Sequence, residues 1–270
     1  MDLRITTVQS VQHWENKAGN LELFAQKIKD IKETTDLIIL PEMFSTGFTM
    51  NAAPHAEEMN GPTMQWLREQ AAAKNCVITA SFIVKEGKDL FNRLVWMQPN
   101  GSYKHYDKRH LFRMANEHQH YSGGSAPLTV ELKGWKIRLI ICYDLRFPAW
   151  SRQQLKVNNN GKITEAGRYD LLVCIANWPE RRSYPWRSLA TARAIENVAY
   201  AVVVNRVGKD GNDIPYSGDS GVINYLGEWI STTKPHEEKA ETVSLSRQQL
   251  EDFRKNFPAH MDADELEIKV

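Results

Sequence analysis

Three residues of types suited to covalent acyl chemistry each stand just beyond an apolar or alternating strand pattern. Cys142 ends the run Lys136-Ile137-Arg138-Leu139-Ile140-Ile141 and is followed by Tyr143-Asp144-Leu145-Arg146-Phe147-Pro148 and a helix-compatible stretch. A strand-to-helix turn there holds the thiol at a sheet edge beside free backbone N–H groups, and both features favour thiolate chemistry. A small buried hydrophobe is the other reading of a lone cysteine. Glu42 follows Leu37-Ile38-Ile39-Leu40 through Pro41. A carboxylate directly after so apolar a strand is partly desolvated, the setting of a general base, whereas an ordinary strand end leaves it solvated. Lys108, in Tyr106-Asp107-Lys108-Arg109-His110, follows the strand pattern 102–106. There it aims an ammonium at a developing oxyanion or is a plain surface charge.

The elements that must position these groups are read from periodicity. Strands are predicted near 3–9, 35–40, 77–84, 91–98, 101–107, 136–142, 170–176 and 200–207, and helices near 18–33, 63–74, 148–155 and 184–198. That alternation predicts an α/β fold, with residues 1–270 as one domain and no Pro/Gly/Ser linker. The runs 36–40 and 170–176 are apolar after their opening aspartates, as in strands covered on both faces. Ligands in such sheets sit beyond the carboxyl ends of the strands, where the candidate groups lie. Residues 156–167, polar and turn-rich, read as a surface loop or small hairpin with a mobile tip.

Bulk properties narrow the function classes. A chain of 270 residues with 42% hydrophobic and 25% charged residues has the composition of a soluble globular protein. A formal net charge of +1 gives no basic face for nucleic acid or a membrane surface, which favours small-molecule chemistry. The first residues alternate like a strand and lack the apolar core of a signal peptide, so a cytoplasmic location is expected. The three cysteines, Cys76, Cys142 and Cys174, are widely spaced, suggesting neither a disulfide framework nor a zinc site. Cys76 and Cys174 are read as core.

Taken together, Pro41-Glu42-Met43-Phe44, Asp107-Lys108-Arg109-His110-Leu111-Phe112 and Cys142-Tyr143-Asp144-Leu145-Arg146-Phe147-Pro148 resemble the three signature segments of the nitrilase (carbon–nitrogen hydrolase) superfamily, in the family's order. The resemblance extends to Ala176-Asn177-Trp178-Pro179, to 192–197 and to Gly218-Asp219-Ser220, so it covers nearly the whole chain. It implies a four-layer α-β-β-α sandwich and a homodimer paired through helices, with a C-terminal tail of about residues 246–270 that can reach the dimer interface. It also implies Cys142 as nucleophile, Glu42 as base, Lys108 as oxyanion stabiliser and Glu117 as a second glutamate orienting Lys108.

The chemistry implied is that of a cysteine amidase working through a thioester, with no metal or organic cofactor. Within the superfamily the Cys142 and Asn177 segments look most like the bacterial omega-amidase branch, which acts on 2-oxoglutaramate or 2-oxosuccinamate. An anionic substrate needs a cation, since an unpaired buried carboxylate is costly. Arg146 is the first candidate, with Arg113, Arg181 and Arg182 behind it. The alternative for Arg146 is a structural partner of Asp144 or of helix-end carbonyls. The Tyr143 N–H joins Lys108 at the oxyanion, and Phe48 and Trp178 wall the pocket or belong to the core. His110 is expected to pack below Lys108, with His105, His118 and His120 solvated. The rival readings are a deaminated-glutathione amidase, an N-carbamoyl amide hydrolase, and a catalytically silent dimeric interaction module.

Overall fold

The computed structural model describes residues 1–157 and 163–264. Fifteen strands are described: β1 (Leu3–Gln9), β2 (Leu37–Ile39), β3 (Val77–Glu86), β4 (Asp89–Met97), β5 (Tyr103–Asp107), β6 (Leu128–Leu132), β7 (Trp135–Ile141), β8 (Gln154–Val157), β9 (Ile163–Gly167), β10 (Leu171–Ala176), β11 (Tyr200–Asn205), β12 (Val207–Lys209), β13 (Pro215–Ser217), β14 (Gly221–Ile223) and β15 (Lys239–Leu245). Six helices are interleaved with them: α1 (Lys17–Asp30), α2 (Pro62–Lys74), α3 (Glu117–His120), α4 (Pro148–Ser151), α5 (Ser183–Glu196) and α6 (Arg247–Asn256).

The first sheet has the order β15-β1-β2-β3-β4-β5 and the second β14-β11-β10-β7-β6. β1, β2 and β3 are parallel in one, and β7, β10 and β11 in the other. Side-chain alternation along β2 shows how the layers form. Leu37 and Ile39 face the second sheet in a core shared with Ile137, Leu139 and Val173, while Ile38 packs outward with Phe24 and Ile28 of α1 and Leu67 of α2. Trp186, Ala190 and Ala194 of α5 and Leu250 of α6 complete the inter-sheet core cluster from the helical side. The result is the expected α-β-β-α sandwich.

Local signals set the helix ends. Asn16 caps α1 by accepting from the Gly19 N–H, Pro62 opens α2 at its first turn, and Asn75 closes α2 in a left-handed conformation (φ 48°). Ser246 caps α6 by accepting from the Gln249 N–H.

The structure departs from the sequence reading in particular places. The helix expected over 148–155 stops at Ser151, because the Gln153 N–H donates to Asn197 Oδ1 and its side-chain amide to Tyr169 O and Asn197 O, which draw the chain out of helical geometry. Of the loop-or-hairpin alternatives for 156–167, the structure forms the antiparallel pair β8–β9. Its expected mobile tip, 158–162, lies outside the described residues. Within the described part of the C-terminal segment, Arg254 of α6 is buried and bonds Asp170 at 2.6 Å, Tyr169 O at 2.8 Å and Val198 O at 2.9 Å. Cys76 and Cys174 are buried, as expected of core residues.

Candidate active site

The carboxyl ends of the parallel strands of both sheets meet, and the predicted residues sit at that meeting. Glu42 lies three residues beyond β2 in the first sheet, and Lys108 directly follows β5 of the same sheet. Cys142 directly follows β7 of the second sheet and opens a 3-10 turn, Cys142–Arg146. Cys142 and Met43 hold left-handed backbone conformations, φ 46° and 44°. Such conformations are costly for residues with a Cβ and cluster where a side chain must be aimed.

Lys108 joins the acidic residues. Its Nζ donates to Glu42 Oε1 at 2.9 Å and to Glu117 Oε1 and Oε2 at 2.9 and 3.0 Å. All three side chains are fully buried. Glu42 Oε1 also accepts from Asn92 Nδ2 at 2.7 Å, and Oε2 from the Asn177 N–H at 2.7 Å. Glu117 is locked in turn by the Phe112 N–H. Asn177 completes the convergence, because its carbonyl oxygen lies 3.9 Å from Cys142 Sγ.

The electrostatics follow from burial. Desolvation alone would push Lys108 towards the neutral amine, but Glu117, Glu42 and Cys142 outweigh it and its pKa ends well above the ordinary lysine range. Burial pushes Glu117 up, with Glu42 adding to the rise and Lys108 opposing it. Burial also drives the Cys142 thiol well above its usual range, reinforced by Glu42 and opposed by Lys108. This runs against the expectation that the turn by itself favours a thiolate: desolvation, with the Glu42 carboxylate adding to it, outweighs the Lys108 ammonium. The shift favours the protonated thiol, so a nucleophilic sulfur at this position would need a base to ionise it.

A cavity of about 530 Å³ opens onto Lys108 and Cys142, within the usual range of about 300–1,000 Å³ for small-molecule sites. Phe48, Tyr143, Arg146, Asn177 and Trp178 line it as well. Phe48 lies against Lys108, whose Nζ is 4.9 Å from the ring centroid. The Arg146 guanidinium lies 5.4 Å from the Trp178 ring centroid. Arg181 and Arg182 reach the same cavity, whereas Arg113 is exposed and does not line it. Glu42 and Glu117 lie behind the cavity wall.

Two expectations about neighbours change. Asp144 does not pair with Arg146; its oxygens are taken by Tyr106, His110 and the Ile141 N–H. Among the described residues, Arg146 has no carboxylate partner. His110 does not pack below Lys108 but stacks on Phe147, ring centroids 3.8 Å apart, where Asp144 draws it. His105, His118 and His120 are exposed, as expected.

Sequence reasoning missed Asn92, Gln12 and the role of Asn177. Asn177 Nδ2 and Gln12 Nε2 both donate to the Glu42 carbonyl, fixing the backbone of the residue whose side chain Asn92 orients. Asn92 sits within a strand and Gln12 in a loop, so neither carries a local signal. Asn177, directly after an all-apolar strand, had the same strand-end signal as Cys142.

A carbon-nitrogen hydrolase family model matches residues 4–255. The chain is 42% identical over 266 residues to omega-amidase YafV of Escherichia coli (strain K12), covering 98% of each protein. It is 30% identical over 230 residues to 2-oxoglutaramate amidase of Bacillus subtilis (strain 168), covering 84% of each. Among solved structures it matches XC1258 from Xanthomonas campestris, described as a CN-hydrolase superfamily protein with an arsenic adduct in the active site, with a TM-score of 0.94 and 42% identity over 100% of both chains.

Proposed function

The chain belongs to the carbon-nitrogen hydrolase family and is a hydrolase of C–N bonds, and from that premise we propose that it removes the terminal amide of a small 2-oxo dicarboxylate monoamide, 2-oxoglutaramate or 2-oxosuccinamate, through a thioester on Cys142. The observation that carries this reading is the buried Lys108 ammonium, held between Glu42 and Glu117 in a cavity that Cys142 also lines.

Each step has a group suited to it. Glu42 takes the thiol proton; its Oε2, with a single donor in Asn177 N–H, has the freer lone pair. The sulfur attacks the amide carbon, and the oxyanion that forms is met by Lys108 Nζ and the Tyr143 N–H, which in the first turn of its 3-10 helix has no intrahelical acceptor. Glu42 returns the proton to the amide nitrogen and ammonia leaves. Water, deprotonated by Glu42, then attacks the thioester; the second oxyanion collapses to the carboxylic acid and the thiol is restored. Glu117, through both its oxygens, keeps Lys108 charged and aimed.

The substrate class rests on Arg146, a cavity-lining guanidinium with no carboxylate partner among the described residues. A substrate carboxylate fits that vacancy, while Phe48 and Trp178 wall the chain between carboxylate and amide. The names of the relatives above are consistent with such a substrate. The same reading includes a homodimer joined through helices, supported by the exposed apolar side chains of Tyr184 and Ile195 on α5. Ammonia release from 2-oxoglutaramate, deaminated glutathione and N-carbamoyl-β-alanine, measured side by side, tests the substrate. Turnover of 2-oxoglutaramate above the other two is expected, and turnover of the ureido compound alone would refute it.

A further inference from the structure

The groups that must meet the oxyanion arrive from different sheets: Lys108 follows β5 of the first, and the Tyr143 N–H follows β7 of the second. Between those sheets lies an apolar core. Apolar burial is non-directional and sets a separation without aiming an ammonium. Directional bonds across the seam are therefore needed; Asn177 supplies two to Glu42, and one further fully buried carboxylate collects those that tie the lysine segment to the cysteine turn.

Asp144 Oδ1 accepts from the His110 N–H at 2.9 Å and from His110 Nδ1 at 2.8 Å. Asp144 Oδ2 accepts from the Tyr106 hydroxyl at 2.6 Å and from the Ile141 N–H at 3.0 Å. Four donors fill the roughly four lone-pair sites of a carboxylate. Tyr106 and His110 belong to the strand and loop that carry Lys108, while Ile141 and Asp144 flank Cys142 and Tyr143. The Tyr106 hydroxyl itself accepts from Trp150 Nε1 at 2.8 Å and from the Arg109 N–H at 3.3 Å, so the residue after Lys108 is tied in as well. His110 also stacks on Phe147, with ring planes 9° apart, and Phe147 meets the Tyr143 ring edge-on.

We propose that Asp144 is a positioning residue, with His110 as its partner on the lysine side, and that this bracket sets the reach of Lys108 to the oxyanion formed at Cys142. It acts through other groups and touches no substrate: neither residue lines the cavity. The proposal rests on the roles given above to Cys142 and Lys108, and is independent of which amide is the substrate.

The test compares His110→Phe, which keeps a ring against Phe147 but deletes the Nδ1 donor, with Asp144→Asn, which keeps the shape but turns one acceptor into a donor facing N–H or O–H groups. kcat and KM are measured on whichever of the three amides the wild type hydrolyses fastest, and iodoacetamide labelling of Cys142 is followed in parallel. Alkylation needs the sulfur and its base but forms no oxyanion. A misplacement of about 1 Å can cost about 100-fold in rate, so kcat is expected to fall about 10-fold in His110→Phe and about 100-fold in Asp144→Asn, with KM and the labelling rate within about 3-fold of wild type. The proposal is overturned if kcat holds in both variants, if KM rises while kcat stands, or if labelling falls in step with kcat, which would mark a general loosening of the fold. Because the His110 side chain is 24% exposed, His110→Phe carries the test should Asp144→Asn not fold. A wild type that prefers another amide of the three sinks the substrate reading and leaves this comparison standing. A wild type inert on all three removes the premise and the bracket with it.

Discussion

Replacing Lys108 by methionine removes the cation that two fully buried carboxylates share, at distances of 2.9 Å to Glu42 and 2.9 and 3.0 Å to Glu117. Breaking a buried ion pair costs about 3–5 kcal/mol, because the partner is left charged and unpaired. The variant can relieve part of this by protonating Glu117, whose carboxyl burial and Glu42 already hold above its ordinary range. The sign follows from linkage. A carboxyl with a folded pKa above its unfolded value takes up a proton on folding, so its contribution is full at low pH and is lost as pH rises through the folded pKa. One proton taken up corresponds to a slope of at most about 1.4 kcal/mol per pH unit. Lys108→Met should therefore lose stability with rising pH more steeply than wild type. Urea unfolding followed by tryptophan fluorescence at pH 5, 6 and 7 measures it. Parallel wild-type and variant curves would show that Lys108 does not oppose proton uptake by Glu117, and the electrostatic account of the site would fail. Activity should fall at least about 100-fold at each pH, the loss typical of a missing oxyanion donor.

Other outcomes are equally specific. Arg146→Ala should raise KM for 2-oxoglutaramate at least about 10-fold with kcat nearly unchanged, since a charge-assisted hydrogen bond contributes about 1.5–3 kcal/mol; an equal loss on an uncharged amide would remove Arg146 from substrate recognition. Iodoacetamide should label Cys142, which lines the cavity with a candidate base beside it, faster than Cys76, which is packed in the core, and mass-spectrometric peptide mapping distinguishes the two. Glu42→Gln should slow Cys142 towards the Cys76 rate, and equal labelling of both cysteines in the wild type would argue for a silent scaffold. The same variant should lose about 1–3 kcal/mol of stability, because a glutamine that still accepts from Asn92 and Lys108 turns its NH₂ towards the Asn177 N–H.

Much of the fold is legible because its strands are locally marked. The all-apolar β10 announces its burial through side-chain type, and Pro62 and Asn75 mark where α2 begins and ends. The misses share a cause. β12–β15 and α6 are short or polar, and they form because neighbours distant in sequence accept them: β15 pairs with β1 at the other end of the chain, and α6 docks through Arg254 onto Asp170. α4 ends early for the same reason, since Asn197 and Tyr169 bind Gln153.

What the sequence determined by itself was the set of candidate reactive side chains and the strand ends that carry them. The types and order of Glu42, Lys108, Glu117 and Cys142 are written in the chain, as are the apolar runs before Glu42 and Cys142. Only the tertiary structure decided their electrical state and aim. Whether Cys142 rests as thiol or thiolate, whether Arg146 is claimed by Asp144, and which residues orient Glu42 all depend on atoms tens or hundreds of positions away. Burial and hydrogen bonding act over a few ångströms of space. A sequence records such proximities only between neighbours along the chain, whereas this site joins two sheets.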